Sequence, residues 1–264
     1  MRSTESAGSK STQILVLGAS NVRRGWRPLL QVANDRLSDR FDAHLVMGHG
    51  RSLGSPTTFF GTRFTPLLRS VTWDYLEQRR KIDAPPVKVL ITDIGNDVLY
   101  GESAQQIVAW VEESVQRASA LADHVVVTRL PLFSIEQMTK WRYLVARTLI
   151  WPSSQVSYSQ AVTAVREIDA AIADCNRPPH VRVVSPDRSW YGLDPVHVRR
   201  RSLRDAWATY LESWSNDADA SSSMHDRSAL KIARRLPRPI RNMEQTSSRA
   251  MQIGQVSTVR FYVG

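Results

Sequence analysis

The sequence predicts an α/β protein in which helices cover both faces of a parallel sheet. Short apolar runs of strand length alternate with longer segments whose apolar residues recur at helical spacing. Such alternation is typical of parallel sheets, because a strand returns to the same end of the sheet only through a long, usually helical, connection. The five predicted strands span residues 13–17, 43–47, 87–94, 125–128 and 181–184. The predicted helices span residues 26–37, 64–78, 104–121, 156–175 and 203–214.

The strand assignments depend on short apolar runs that end at turn residues. Residues 13–17 are apolar and are ended by Gly18, and residues 43–47 are ended in the same way by Gly48. Residues 87–94 form the clearest strand, because Val, Leu and Ile fill most of its positions.

The helix assignments depend on apolar residues at helical spacing, as at Leu29, Leu30 and Ala33. The segment from Pro131 to Pro152 interrupts the alternation and is rich in aromatic residues. It is either a helical insertion over a site or a packing helix with aromatic core residues, and the second interpretation is favoured.

Length and composition predict one domain of ordinary size with flanking segments. The chain has 264 residues, of which 42% are hydrophobic. We expect a disordered N-terminus over residues 1–12, a domain over residues 13–214 and a basic, mostly disordered tail over residues 215–264, in which Val259 to Val263 could add a short edge strand. Cys175 is the only cysteine, which excludes an intramolecular disulfide and a cysteine-built metal site.

Charge and hydropathy exclude some classes of protein and leave others open. The polar N-terminus lacks a signal-peptide pattern and no apolar run approaches ~18 residues, so we expect a cytoplasmic protein with no membrane span. The net charge is +10, and the tail contributes eight Lys or Arg against four Asp or Glu. A positive charge of this size is compatible with nucleic-acid binding, but no known binding motif accompanies it, so a nucleic-acid partner is not expected. The oligomeric state is left open.

Four short segments supply complementary parts of acyl-transfer chemistry. They are residues 17–21, 48–52, 93–97 and 193–197. The first three follow predicted strands directly, and the fourth follows the last strand after a loop. Because ligands of parallel sheets bind outside the carboxyl ends of the strands, we expect the four segments to meet at one edge.

The residues of these segments suggest a nucleophile, a base and hydrogen-bond donors. Ser20 is either a nucleophile or the N-cap of the following helix. His197, three residues after Asp194, is either a general base oriented by that carboxylate or an exposed histidine beside a helix cap. Asn96 is either a turn former or an amide donor to a developing oxyanion. Asp97 is expected to hold its loop.

These motifs resemble those of the SGNH/GDSL hydrolase superfamily, whose members carry Ser, Gly, Asn and His in four blocks. Residues 17–21 resemble the first block, with Ala19 where Asp is usual, and residues 94–97 and 194–197 match the third and fourth blocks. The second block is less clear, and Gly50 is favoured over Gly54 as its oxyanion-hole residue. The resemblance covers residues 13–214.

The resemblance implies a three-layer α/β/α sandwich, close to the flavodoxin type, and a serine esterase without metal or cofactor. Ser20 would be the nucleophile, His197 the base and Asp194 its partner, and Gly50, Asn96 and the Ser20 amide would hold the oxyanion. The substrate would be a small-molecule, carbohydrate or lipid ester, with an acetyl or other short acyl group.

Other interpretations of the chain remain open. It could be a catalytically silent binding protein of the same fold, or a basic nucleic-acid-associated protein that acts through its tail. Arg23, Arg24 and Arg51 lie near the expected mouth of the site, which suggests an acidic substrate.

Overall fold

The computed structural model describes residues 11–37, 39–174, 177–215, 245–249 and 256–263. The strands of the main sheet are β1 (Thr12–Leu17), β2 (Phe41–Val46), β5 (Val87–Ile91), β6 (His124–Thr128), β7 (Val181–Val184), β8 (Gln245–Arg249) and β9 (Val256–Val263). A separate hairpin consists of β3 (Thr57–Phe59) and β4 (Thr62–Phe64). The α-helices are α1 (Ser20–Arg36), α2 (Val71–Asp83), α3 (Asn96–Leu99), α4 (Ala104–Leu121), α5 (Leu132–Glu136), α6 (Lys140–Ile150), α7 (Tyr158–Asp174) and α8 (Leu203–Tyr210).

The main sheet has the order β7-β6-β5-β1-β2-β9-β8, and every neighbouring pair except β8–β9 is parallel. The five predicted strands are all present, and their order within the sheet is that of a flavodoxin-like fold. The predicted α/β class with a parallel sheet is therefore confirmed. The order reverses between β1 and β5, which is where ligands of such sheets usually bind.

Two hydrophobic cores, one on each face of the sheet, give the molecule three layers. Leu15 and Leu17 of β1 point to the core that α2, α4 and α7 cover, whereas Ile14 and Val16 point to the core under α1 and α8. Successive strand residues alternate between faces, so a strand covered on both sides is mainly apolar. This alternation explains why these strands read as continuous apolar runs. Buried polar exceptions such as Gln13, His44 and Lys88 are hydrogen-bonded.

The sheet is larger than the five strands predicted from sequence. Strand β9 pairs with β2 in parallel, and β8 pairs with β9 and covers its other side. Val259 and Phe261 are buried in the core under α1 and α8, which provides the hydrophobic reason for this addition. Two segments of the predicted tail are thus strands. Mostly disordered structure stays a prediction for the rest of residues 216–264, as for residues 1–10, because these lie outside the described residues.

Two predicted helix starts differ from the structure. Helix α1 begins at Ser20 rather than at residue 26, and it is kinked at Gly25, where the backbone is not helical. Pro28 explains the kink, because its ring blocks a regular helical turn before it. Helix α2 begins at Val71, capped by the Ser70 hydroxyl, and the residues before it form β4 and a short turn of 3₁₀ helix.

Candidate active site

Ser20 lies at the carboxyl edge of the sheet, where β1 ends and α1 begins. The N-cap position of α1 is Ala19, and no side chain caps the helix from there. The Ser20 hydroxyl instead lies 2.8 Å from Nε2 of His197, across 177 residues of sequence. Ser20 is therefore not the N-cap of the helix, and its hydroxyl is a hydrogen-bond partner of His197.

Ser20, His197 and Asp194 form one continuous hydrogen-bonded chain. Nδ1 of His197 lies 2.6 Å from Oδ2 of Asp194, and the other ring nitrogen faces Ser20. Oδ1 of Asp194 accepts hydrogen bonds from the backbone N–H groups of Val196 and His197. The carboxylate thus holds both the histidine ring and the turn that carries it.

The environment keeps the Asp194 carboxyl group ionised. Partial burial by itself would raise its pKa, but the hydrogen bond and charge of His197, with the backbone N–H groups, hold the pKa below its ordinary value. An ionised Asp194 selects the tautomer with the proton on Nδ1, which leaves Nε2 as the acceptor toward Ser20.

Asp93 anchors the turn that carries Ser20, a role that was not assigned to it from sequence. Its Oδ2 accepts hydrogen bonds from the backbone N–H groups of Ala19 (2.8 Å), Asn21 (2.9 Å) and Val22 (3.2 Å). These N–H groups at the start of α1 have no helical partner, and the helix dipole favours a negative charge there. Asp93 has a φ of 60°, a left-handed conformation that directs it toward α1. Position 19 has no acidic residue, and the carboxylate comes instead from the loop that follows the neighbouring strand β5.

Asn21 connects α1 to the loop that carries His197. Its Nδ2 donates to Oδ1 of Asp93 (2.8 Å) and to the carbonyl of Val196 (3.1 Å). Its Oδ1 accepts a hydrogen bond from the backbone N–H of Val198 (2.9 Å). Both backbone neighbours of His197 are therefore bound to one buried side chain. The sequence gives one indication of this role: Asn21 is a polar residue next to Ser20, at a position that helical periodicity places toward the core.

Asn96 and Gly50 face the same cleft as Ser20. Nδ2 of Asn96 donates to the carbonyl of Arg51 (3.0 Å). Because a carbonyl only accepts, the atom facing it has to be nitrogen, and the second N–H of the amide is left for a ligand. Within the described part of the chain, the backbone N–H groups of Ser20 and Gly50 donate no hydrogen bond to another protein group.

The two candidate glycines of the second block differ in their surroundings. Gly50 has a φ of +65° and lines the cleft, and its carbonyl accepts a hydrogen bond from the Tyr100 hydroxyl. The N–H of Gly54 is directed at the Ser52 hydroxyl, and the Trp110 ring lies against its Cα. Of the two glycines, only Gly50 therefore lines the cleft with a backbone N–H that binds no other described group.

Asp97, which was expected to hold its own loop, holds the loop after Gly50. Its carboxylate accepts a hydrogen bond from the Ser52 hydroxyl and two at 3.1 Å from the backbone N–H of Leu53. Burial raises the pKa of Asp97, and these hydrogen bonds oppose that rise. The loop is thereby fixed against α3, which carries Asn96 at its start.

A cleft of about 620 Å³ opens at this edge of the sheet, in the size range that holds small organic ligands. Ser20, Gly50, Asn96 and His197 all line it. Buried apolar side chains line its deep end, and exposed ones line its mouth. The deep set is Leu130, Ile135, Tyr143, Val162 and Val165.

The segment from Pro131 to Pro152 covers this cleft, so the favoured interpretation as a core packing helix is corrected. It forms α5 and α6, and Trp141 and Trp151 line the cleft. Trp141 is 65% exposed, whereas Tyr143 is buried as a core residue would be. Aromatic residues at helical spacing do not distinguish a core helix from a cover, since only the packing partner differs.

Of the three arginines expected at the mouth, Arg51 is buried, and Arg23 and Arg24 lie near His49 without lining the cleft themselves. Arg51 is 1% exposed, and its guanidinium donates to the backbone carbonyls of Thr65 and Tyr262. Arg129, Arg142 and Arg147 line the cleft instead. An acidic substrate therefore stays a prediction, now based on these three arginines rather than on the ones named from sequence. Among the described residues, no group of His, Cys, Asp or Glu side chains could hold a metal ion, and no helix is long and apolar enough to cross a membrane.

Comparison with solved structures finds similarity to esterases and lipolytic proteins. The psychrotrophic esterase EstA from Pseudoalteromonas sp. has 15% sequence identity and a TM-score of 0.39, with 76% of this chain and 97% of that chain covered. A member of the lipolytic protein G-D-S-L family from Veillonella parvula has 12% identity and a TM-score of 0.43, with 77% and 97% covered. A carbohydrate esterase family 3 protein from Talaromyces cellulolyticus has 13% identity and a TM-score of 0.41, with 76% and 97% covered. No protein-family model and no curated protein matches the chain.

Proposed function

We propose that this protein is a serine esterase that hydrolyses a carboxylic ester through an acyl-enzyme. The observation that carries the proposal is the hydrogen-bonded chain from Ser20 through His197 to Asp194, with contacts of 2.8 and 2.6 Å. A serine hydroxyl is a poor nucleophile at neutral pH and needs a base within hydrogen-bonding distance. The chain of contacts supplies that base and the carboxylate that orients it.

In the first half of the reaction, Oγ of Ser20 attacks the ester carbonyl while Nε2 of His197 takes the hydroxyl proton. Asp194 stabilises the imidazolium that forms. Collapse of the tetrahedral intermediate breaks the bond to the alcohol oxygen, which receives the proton from His197. In the second half, His197 takes a proton from water as the water oxygen attacks the acyl carbonyl. The new tetrahedral intermediate then breaks its bond to Oγ of Ser20, which receives the proton from His197 as the acid leaves.

The negative oxygen of the tetrahedral intermediate would bind three donors. They are the backbone N–H groups of Ser20 and Gly50 and the second amide N–H of Asn96. Each is held in advance, Ser20 by the Asp93 anchor, Gly50 by its loop and Asn96 by the Arg51 carbonyl. Donors that need no rearrangement contribute most to the stability of the transition state, and losing one typically costs about 10²–10³ in kcat.

The shape of the cleft supports an acyl group longer than the short one expected from sequence. Its deep end is apolar and buried between α5, α6 and α7. An acetyl group would leave this surface without a partner, whereas each added methylene group buried there would contribute about 0.8 kcal/mol. We therefore propose a medium-chain or longer apolar acyl ester as the substrate.

Labelling with a fluorophosphonate, beside a panel of p-nitrophenyl esters from acetate to decanoate, tests this function. The wild-type protein should be labelled and Ser20→Ala should not, whereas Ser185→Ala, which changes an exposed serine after β7, should be labelled normally. kcat/KM should rise with acyl length beyond acetate. Folded protein that is neither labelled nor active on any ester would favour a catalytically silent binding protein instead.

A further inference from the structure

Large apolar side chains surround the mouth of the cleft and are open to solvent. Nine such side chains are exposed in the described part of the chain, and all but two belong to the mouth or to α6. The most exposed of the seven at the mouth or on α6 are Leu193 (86%), Phe60 (79%), Leu149 (69%) and Trp141 (65%). Scattered apolar residues are normal on a protein surface, but this concentration around one opening indicates a contact surface.

Helix α6 presents most of this surface as one stripe. Trp141, Leu144, Val145 and Leu149 are spaced so that they share a single helical face, and all four are exposed. In a globular protein such a stripe normally faces the core. Here Tyr143, on the opposite side, is the buried residue, so the apolar stripe lacks a partner within the described residues.

The charged residues on the helix that carries the stripe are all positive. Helix α6 carries Lys140, Arg142 and Arg147 and no Asp or Glu, and Arg63 stands on the hairpin beside Phe60. An apolar helical face flanked by basic residues is the pattern of helices that lie in the interface of an anionic lipid layer. A two-fold contact between two copies would place the same basic patch against itself, which is unfavourable.

We propose that α6, Phe60 and Leu193 form a surface that docks on an anionic phospholipid layer. The apolar stripe would enter the boundary between headgroups and acyl chains, and the flanking cations would meet the phosphates. The cleft opens within this surface, so an apolar ester could pass from the lipid toward Ser20 without crossing water. This last step rests on the proposed esterase function; the docking itself does not.

Co-sedimentation of the full chain with vesicles tests the docking. One set of vesicles contains phosphatidylcholine alone, and the other also contains phosphatidylglycerol. The wild-type protein should bind the anionic set, and Leu149→Ser should weaken that binding about tenfold or more. Lys140→Gln should weaken it about fivefold, and only on anionic vesicles. The matched control is Ile82→Ser, which changes an equally exposed apolar residue (78%) on α2, and it should bind like wild type.

Three results would overturn the docking surface. They are the absence of binding to anionic vesicles, equal losses in Leu149→Ser and Ile82→Ser, and a dimer in light scattering that Leu149→Ser dissociates. The Ser20→Ala protein should bind vesicles as wild type does, which separates the two proposals. Vesicle binding without ester hydrolysis would refute the proposed function alone, and hydrolysis without vesicle binding would refute the docking alone.

Discussion

Replacing Asn21 by alanine is expected to lower kcat far more than another substitution in α1 that lowers the stability by the same amount. Asn21 touches none of the atoms that would react. Its amide instead binds the backbone on both sides of His197, at the Val196 carbonyl and the Val198 N–H. Without it, the loop that positions the base is held to α1 by fewer contacts.

The size of the effect follows from the three hydrogen bonds that the Asn21 side chain makes. The two to backbone groups contribute about 0.5–1.5 kcal/mol each, and the one to the charged Asp93 contributes about 1.5–3 kcal/mol. Asn21→Ala should therefore lower the free energy of unfolding by about 2.5–6 kcal/mol. A displacement of His197 by about 1 Å would cost on the order of 10²-fold in kcat.

Steady-state kinetics on a p-nitrophenyl ester, beside urea unfolding, measures both effects. The matched control is Leu30→Ala, which deletes a buried core residue of the same helix at a distance from the His197 loop. It should lower stability by about 2–5 kcal/mol through its cavity and leave kcat within a few fold of wild type. The assay temperature is chosen so that both variants are folded.

The positioning role predicts a fall in kcat with KM nearly unchanged, because the acyl-binding part of the cleft is not altered. If Asn21→Ala and Leu30→Ala were equally active, the role of Asn21 would be structural only. The same conclusion would follow if Asn21→Ala lost stability as calculated but kept its kcat.

Three further changes test other parts of the structure. Gly50→Ala should lower kcat on the order of 10²-fold, because the added Cβ would lie 2.4 Å from the Phe59 ring and shift an oxyanion donor. The control is Gly61→Ala, which has a similar positive φ and no atom within 4 Å of the added Cβ. It should lower stability but leave kcat unchanged. Burial and two nearby guanidinium groups lower the pKa of His44 to about 3, so protonation favours the unfolded chain and stability falls as the pH drops below 6.5. Between pH 6.5 and about 5, the free energy of unfolding measured with urea should fall by about 1.5–2 kcal/mol more in the wild type than in His44→Gln. Equal decreases in the two proteins would contradict this. Asp93→Asn removes the charge that anchors the Ser20 turn. It should lower the unfolding free energy by about 1–3 kcal/mol in the same assay and also lower kcat. An unchanged kcat would show that the charge is not needed there.

The strands and most helices could be predicted because burial requires apolar residues, continuous in a strand covered on both faces and periodic in a helix covered on one. Helix α4 was predicted with the observed bounds, since Ser103 caps it and its periodicity is regular throughout. Helix α1 was predicted to begin too late, because Pro28 and Gly25 interrupt the periodicity without ending the helix. The sequence predicts a short edge strand over Val259 to Val263, whereas β9 is longer and lies between β2 and β8, since a short apolar run does not reveal its pairing partners.

The segment from Pro131 to Pro152 was predicted as a core packing helix, and this prediction is wrong for a related reason. Spacing identifies residues that share one face of a helix, but it does not say whether that face meets the core, a ligand or solvent. In α6 the exposed stripe and the buried Tyr143 lie on opposite sides, and only the packing against α7 distinguishes them.

The sequence by itself determined the layered architecture and which residues could act as nucleophile, base and donor, because side-chain chemistry and periodicity are local properties. The tertiary structure decided how these groups are held. The anchors of Ser20 and His197 join residues that are 72 and 175 positions apart in the chain. Neither Asp93 nor Asn21 carries a local mark of this role, because the need for a carboxylate or an amide arises only when β5, α1 and the His197 loop meet at one edge of the sheet.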